Sequence, residues 1–197
     1  VRDVRLTWTL ALPEHGGKDR ISAQVGVSSE IRDRGGWTPG DVRAMLRPTE
    51  VAMDARKNRL LELLLIHAFQ YREEPPFVLA SGRSSPYYVD CKPVTLHPEG
   101  MHLIGGLGYE ALRDTGTTAV GGLTLGADPI ANAIAMHSFH RSRQFKSFVV
   151  RKEAKDHGTG RWLEGAVTPG ERVAVIEDVA TTGNSARTAI GRIRDAG

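Results

Sequence analysis

The stretch VAVIEDVATTGNS, from Val173 to Ser185, contains an apolar run, two neighbouring acids and a polar turn, in that order. An apolar run rich in β-branched residues is typical of a buried strand. The residues from Ala186 to Ala196 have helical spacing, so the stretch predicts a strand, an acidic loop and a helix in succession. The first backbone N–H groups of a helix have no partner within it, and they form a ready site for a phosphate group.

The two acids, Glu177 and Asp178, limit what such a site can bind. Directly before a phosphate site they would repel the phosphate unless they served another part of the same ligand. Ribose hydroxyls or a bound magnesium ion are the natural partners. The simpler alternative is an ordinary strand that ends in a polar turn, with Ser185 capping the helix. A Walker-type phosphate loop is excluded, because no Gly-Lys-Ser/Thr sequence follows Gly183.

The nine residues from Glu177 to Ser185 closely resemble the phosphoribosyl-pyrophosphate (PRPP) motif of the type I phosphoribosyltransferases. The resemblance implies that the two acids contact the ribose hydroxyls and that the turn from Thr181 to Ser185 surrounds the 5′-phosphate. It also implies the α/β fold of that family, a doubly wound, mostly parallel sheet with helices on both faces and a small hood. The PRPP-binding residues expected here are Glu177, Asp178, Val179, Ala180, Thr181, Thr182, Gly183, Asn184 and Ser185.

The composition is that of an ordinary globular domain, with 197 residues, 40% of them hydrophobic and 25% charged. No apolar run approaches the roughly 20 residues that span a bilayer, so no membrane partner is expected. Charges and Pro13 are scattered through residues 1–20, so no secretory signal is expected either. A single cysteine, Cys91, allows no internal disulfide and fits a reducing cytoplasm. Residues 141–161 contain seven Lys or Arg against two acids. This concentrated charge indicates a small polyanion as partner and not a nucleic acid.

Residues 1–52 differ from the rest of the chain. They contain glycine pairs, prolines and mixed charges without sustained periodicity, which predicts an irregular or disordered leader. Within it, residues 1–12 are compatible with a strand and residues 40–46 with a helical turn. Helix-forming sequence begins at Met53 and continues through Phe69. We therefore expect a functional domain in residues 53–197, with a hood in about 53–95 and a core in about 96–197.

The segment from Phe77 to Asp90 reads FVLASGRSSPYYVD. Two short apolar segments flank a Gly-Arg-Ser-Ser-Pro turn, which predicts a hairpin in which one of two neighbouring tyrosine rings is buried. The segment resembles the hood over the pyrimidine in orotate phosphoribosyltransferases. That resemblance assigns orotate binding to Tyr87, Tyr88 and Thr181. Ala80 stands where many members carry a lysine, so the contact of that lysine is not expected.

The region between the hood and the basic segment predicts alternating helices and strands. Helices are expected over 98–112 and 129–139, and buried strands over 117–122 and 145–150. The glycine-punctuated turn before the second helix is, on its residues alone, compatible with a plain β-to-α loop. In the resembled family it is the pyrophosphate loop, often with a Tyr-Lys pair where Leu125 and Gly126 stand. The backbone N–H groups of Leu125, Gly126 and Ala127 are then expected to bind the pyrophosphate of PRPP.

The segment from Arg151 to Gly160 reads RKEAKDHGTG. A charge run of this kind is ordinarily a solvated surface. Together with its continuation to Gly165, however, it closely resembles the mobile catalytic loop of orotate phosphoribosyltransferases. The resemblance implies that the loop reaches the neighbouring subunit's site, and hence a homodimer with shared active sites. It assigns PRPP binding to Arg151, Lys152, Lys155 and His157, and catalysis to Lys155, His157 and Asp178.

The three resemblances together identify residues 53–197 as a member of the orotate phosphoribosyltransferase family. The implied reaction converts orotate and PRPP into orotidine 5′-monophosphate and pyrophosphate in pyrimidine (UMP) biosynthesis. Mg²⁺ is expected to bind mainly through PRPP, without a firm protein ligand. A purine or uracil phosphoribosyltransferase and a non-catalytic PRPP-binding regulator are the alternatives. His137 and His140 lack a third ligand and are expected to be exposed surface residues, not a metal pair.

The last residues of the chain carry one further expectation. In the resembled family an apolar strand follows, with an Asp-Arg pair whose arginine holds the orotate carboxylate. Neither is present within the 197 residues. We therefore expect a truncated chain with weak or no orotate turnover, and an unpaired sheet edge beside residues 173–177.

Overall fold

The structure is a computed structural model that describes residues 4–10, 21–27, 55–79, 82–153, 162–180 and 183–197. Predictions for a helical turn at 40–46 and for the sequence around Lys155, His157, Thr181 and Thr182 lie outside these residues. Among the helices described, none is long and apolar enough to cross a membrane.

The N-terminal region contains a two-stranded antiparallel hairpin of β1 (Val4–Leu10) and β2 (Ile21–Val27). The strand expected within residues 1–12 is confirmed. The expectation of irregular structure is wrong for residues 21–27, where apolar and small or polar residues alternate strictly in the sequence ISAQVGV. That period of two is a strand signal. The division of the chain near residue 53 stays a prediction.

The hood segment begins with helix α1 (Ala55–His67), which confirms the helix predicted from Met53. It is followed by four short strands, β3 (Phe69–Tyr71), β4 (Phe77–Val78), β5 (Ser84–Ser85) and β6 (Tyr87–Val89). The predicted hairpin is only partly correct. Strand β4 pairs with β5, whereas β6 pairs antiparallel with β3. Pro86 separates β5 from β6, and its missing N–H group explains why one ladder does not continue across both.

The core is a four-stranded sheet in the order β10-β7-β8-β9. Its strands are β7 (Ala119–Leu123), β8 (Lys146–Val150), β9 (Leu163–Gly165) and β10 (Val173–Val175). Strands β10, β7 and β8 are parallel, and β9 is antiparallel to β8. The predicted mostly parallel sheet is therefore confirmed. In the described sheet β10 is an edge strand, as expected from the sequence.

Helices cover both faces of this sheet, as predicted. They are α3 (Pro98–Leu112), α4 (Ala127–Ser138) and α5 (Asn184–Asp195), whereas the short helix α2 (Lys92–Thr95) packs against α1 and α3. Because successive strand residues point to opposite faces, Val120 and Ala174 pack with α3 and α4. Their neighbours Ala119 and Val173 pack on the other side with Ala189 of α5. Each helix therefore has a fixed place relative to the strand ends.

We expect Gly121→Ala to destabilise the fold by about 1–3 kcal/mol, the usual range for overpacking a core. A Cβ atom at this strand position would lie 2.1 Å from the backbone oxygen of Phe148 on the neighbouring strand, and that atom cannot move independently of the sheet. The matched control is Gly191→Ala in α5, where a Cβ meets nothing within 4 Å. The control should stabilise by about 0.5–1 kcal/mol, because alanine favours helix. Urea unfolding of both variants tests this, and equal stabilities would contradict it.

Candidate active site

The carboxyl ends of the parallel neighbours β10 and β7 form one cleft of about 280 Å³. The acidic loop follows β10, and the turn predicted to bind pyrophosphate follows β7. In open parallel sheets, ligands bind at this end of the strands. The cleft is lined by Lys92, Leu123, Thr124, Leu125, Gly126, Ala127, Lys152, Ile176, Glu177, Asp178, Ser185 and Ala186.

Glu177 is held by the first turn of α5. Its Oε2 atom accepts a hydrogen bond of 2.9 Å from the backbone N–H of Ala186. Gly183 stands at the N-cap with φ of 74°, a left-handed conformation that suits glycine. The alternative in which Ser185 caps the helix is therefore wrong, because Ser185 lies within it. A carboxylate at a helix N-terminus also interacts favourably with the helix dipole, by about 0.3–1 kcal/mol.

Asp178 is fixed by contacts on three sides. Its Oδ1 accepts a 3.0 Å hydrogen bond from the N–H of Val179, and its carbonyl oxygen lies 3.6 Å from the donating thiol of Cys91. Burial raises the pKa of Cys91 to about 12, so the thiol stays protonated and able to donate. A Cβ atom at Gly126 would lie 2.2 Å from the carboxylate Oδ1 of Asp178. The small residue expected to admit a ligand thus admits this carboxylate.

The turn after β7 is braced from α4. The hydroxyl of Thr124 donates a 2.6 Å hydrogen bond to Oδ2 of Asp128, and the Thr124–Leu125 peptide bond is cis. The side chain of Leu125 is 68% exposed, so no side-chain charge and little packing come from this position. Anion binding by the backbone N–H groups of Leu125, Gly126 and Ala127 stays a prediction.

Lys92 and Lys152 bring positive charge to this cleft among the described residues. The Nζ atom of Lys92 lies 2.7 Å from Oδ1 of Asp90, and this ion pair raises the pKa of Lys92. Lys92 therefore stays charged at neutral pH. Sequence reasoning missed Lys92, although the absence of lysines at Ala80 and in the turn after β7 was a reason to look for another cation near the hood.

The remaining predicted residues are distributed over three places. Arg151 lines an adjoining cleft of about 440 Å³ together with Lys152 and Glu164, and its Nη1 lies 3.2 Å from Oε1 of Glu164. Tyr87 lies in the aromatic cluster of the hood, 5.8 Å from Phe69 between ring centroids, and is not among the residues lining the cleft. Tyr88 is 39% exposed. Val179, Ala180 and Gly183 lie in the described parts of the turn between Asp178 and α5, and Asn184 is the first residue of α5.

The histidine pair at the end of α4 differs from expectation in one respect. His140 is exposed, as predicted, but His137 is half-buried against Tyr109, at a ring-centroid distance of 5.8 Å. Burial lowers the pKa of His137. Within the described residues no group of three histidine, cysteine or acidic side chains is placed to hold a metal ion.

Comparisons with known proteins agree with this fold. The orotate phosphoribosyltransferase of Aquifex aeolicus is 50% identical over 141 residues, which cover 72% of this chain and 77% of that protein. The enzyme of the same name from Nostoc sp. PCC 7120 is 44% identical over 76% of this chain and 71% of its own length. The crystal structure of Mycobacterium tuberculosis orotate phosphoribosyltransferase with PRPP is 41% identical, with a TM-score of 0.58 over 72% of this chain and 76% of that one. None of the family models matches.

The fold is that of a type I phosphoribosyltransferase. At these identities and coverages, the chain belongs to the orotate phosphoribosyltransferase family. The activity of that family is the PRPP-dependent phosphoribosylation of orotate in pyrimidine biosynthesis. The predictions of fold, family and reaction are thereby confirmed, and the alternatives of another base or a non-catalytic regulator are set aside.

Proposed function

We propose that the cleft between the acidic loop and the turn after β7 binds PRPP, with a separate part of the cleft for each part of the ligand. Glu177 and Asp178 bind the ribose hydroxyls, and the turn 181–185 at the start of α5 binds the 5′-phosphate. The observation that carries this proposal is that both loops and the N-terminus of α5 meet in one cleft. The carboxylates then lie between two anion sites without competing for either.

The diphosphate of PRPP lies against the backbone of Leu125 to Ala127 in this proposal. Lys92 and Lys152 support it from the cleft walls, and Arg151, Lys155 and His157 from the basic segment. Several cations are needed because the leaving diphosphate gains charge as its bond to C1′ breaks. Preorganised positive groups stabilise such charge at little reorganisation cost.

The reaction requires no covalent nucleophile from the protein. The N1 atom of orotate loses its proton to solvent and bonds directly to C1′ of the ribose while the C1′–O bond to pyrophosphate breaks, and positive charge develops on the ribose ring. The nearby carboxylate of Asp178 stabilises that charge, whereas the lysines stabilise the departing diphosphate. The orotate ring is placed under the hood, beside Tyr88, with Thr181 as a further contact. Tyr87 supports the hood through its aromatic neighbours and contacts orotate only if the hood rearranges.

The donor set fits a magnesium ion that takes most of its ligands from the substrate. Mg²⁺ prefers oxygen ligands and is commonly held by one or two carboxylates together with substrate phosphates. Asp178, and secondarily Glu177, are the side chains that would hold it in this cleft. When bound, the ion supplies charge neutralisation on the diphosphate and ribose oxygens.

We expect Asp178→Asn to raise the Kd for PRPP by about tenfold to a hundredfold, since hydrogen bonds to charged groups contribute about 1.5–3 kcal/mol. Calorimetric titration with PRPP and Mg²⁺ measures this without depending on turnover. Asp195→Asn, at the opposite end of α5, is the matched control and should bind normally. Unchanged PRPP affinity in a folded Asp178→Asn protein would refute the assignment of the acidic loop.

Lys92→Ala should raise the Kd for inorganic pyrophosphate by about three- to tenfold, and the difference should shrink at high salt because part of the interaction is exposed. The same titration at low and high ionic strength checks both points. Lys57→Ala removes an exposed lysine of α1 and serves as the control. A salt-independent effect, or an equal effect in the control, would argue against a contact between Lys92 and the diphosphate.

We further propose a cytoplasmic homodimer in which Lys155 and His157 of one subunit complete the cleft of the other. The resemblance of residues 151–165 to the catalytic loop of the family supports the dimer, and the single cysteine supports the reducing compartment. The shared site places Lys155 and Asp178 of a given cleft on different chains.

A heterodimer of Lys155→Ala and Asp178→Asn chains tests the shared site directly. In such a dimer one cleft carries both substitutions and the other carries neither. Isolated through two different affinity tags, it should bind half an equivalent of PRPP per chain with unmodified affinity, whereas either mutant homodimer binds weakly. If the heterodimer shows no site of normal affinity, each cleft is built from one chain and the shared-site proposal fails.

A further inference from the structure

Arg192 of α5 makes three contacts, two with the first residues of the basic segment and one with Trp162. Its Nη2 donates a 2.9 Å hydrogen bond to the carbonyl oxygen of Lys152, and its Nη1 donates to that of Arg151. The guanidinium carbon lies 3.9 Å from the ring centroid of Trp162. Arg192 itself is half-buried by these neighbours.

The contacts use what distinguishes arginine from lysine. The planar guanidinium group donates in two directions in its plane, here to two successive carbonyl groups, while its face rests on an indole ring. A lysine ammonium group at the same place could not keep the two carbonyl contacts and the ring contact at the same time. The backbone N–H of Arg151 also donates a 2.9 Å hydrogen bond to the carbonyl of Trp162. The three contacted residues therefore form one unit, which Arg192 joins to α5.

Helix α5 connects this unit to the other side of the cleft. Its first turn contains Ser185, which lines the cleft, and the N–H that holds Glu177. Arg192 lies two turns later on the same rigid helix. The position of Lys152 relative to the acidic loop is therefore set through α5.

We propose that Arg192 is a positioning residue, which holds the main chain at Arg151 and Lys152 so that the Lys152 side chain enters the cleft at the diphosphate. This inference rests on the proposed function, in which Lys152 binds the diphosphate of PRPP. It assigns Arg192 no contact with any ligand.

The test compares two probes, inorganic pyrophosphate and ribose 5-phosphate, titrated into the full 197-residue chain. In Arg192→Ala the Kd for pyrophosphate should rise about tenfold, comparable to the loss of a charged hydrogen bond. The Kd for ribose 5-phosphate should stay within twofold, because the acidic loop and the start of α5 are unchanged. Arg194→Ala, an exposed arginine of the same helix, is the control and should bind both normally. A general loss of structure would weaken both probes together, and that result would overturn the proposal.

Two further variants keep the test decisive if Arg192→Ala folds poorly. Trp162→Ala removes one of the three contacts and should produce a smaller loss confined to pyrophosphate, whereas Trp162→Phe retains an aromatic face and should restore most of the affinity. Equal affinities in these two variants would contradict a role for the ring.

The double variant Arg192→Ala/Lys152→Ala separates the inference from the proposed function. If Arg192 acts through Lys152, its substitution should cause no further loss of pyrophosphate affinity once Lys152 is alanine. An additive loss would overturn the positioning role. If Lys152→Ala alone binds pyrophosphate normally, the assignment of Lys152 in the proposed function fails. If Lys152→Ala weakens binding and Arg192→Ala does not, the inference about Arg192 fails alone.

Discussion

The parallel pairing of β10 with β7 is the constraint on which the site depends. Val173 lies opposite Ala119 and Val175 opposite Gly121, so β10 ends beside Gly121, two residues before β7 ends at Leu123. Each strand is then followed by a loop that must leave the sheet in the same direction. The segment after β10 can approach β7 closely because Gly122 has no side chain. A Cβ at Gly122 would lie 2.2 Å from the backbone oxygen of Ile176. The pairing thus places the acidic loop beside the turn after β7.

Charges of both signs share the resulting cleft, and their arrangement follows from the backbone. The acids are held by backbone donors, Glu177 by Ala186 and Asp178 by Val179. The lysines reach the cleft from other elements, Lys92 from the start of α2 and Lys152 from the end of β8. Because the acids are satisfied by the protein, they do not have to pair with the lysines. Lys92 is paired with Asp90 instead, outside the acidic loop.

Local sequence predicted the parts of the site that are contiguous in the chain. The strand, acidic loop and helix from 173 to 195 have the predicted order, because hydrophobic pattern and turn residues act over short distances. Parts that depend on distant contacts were not predictable in this way. Lys92 lines the cleft because α2 packs near Asp178. Tyr87 is not among the lining residues, because β6 pairs with β3 instead of completing a hairpin with β4. Neither the packing of α2 near Asp178 nor the pairing of β6 with β3 can be predicted from the neighbouring residues in the sequence.

Ala80 and the turn at Leu125 and Gly126 lack the lysine that many members of the family carry there. The cleft nevertheless contains positive charge. Leu125 and Gly126 contribute backbone donors only, and Gly126 cannot carry any side chain while Asp178 lies against it. A longer residue there would have to displace the carboxylate of Asp178. Positively charged side chains must therefore come from elements whose side chains do not clash with the acidic loop. Two described walls of the cleft satisfy this condition. The hood side contributes Lys92, and the segment after β8 contributes Lys152.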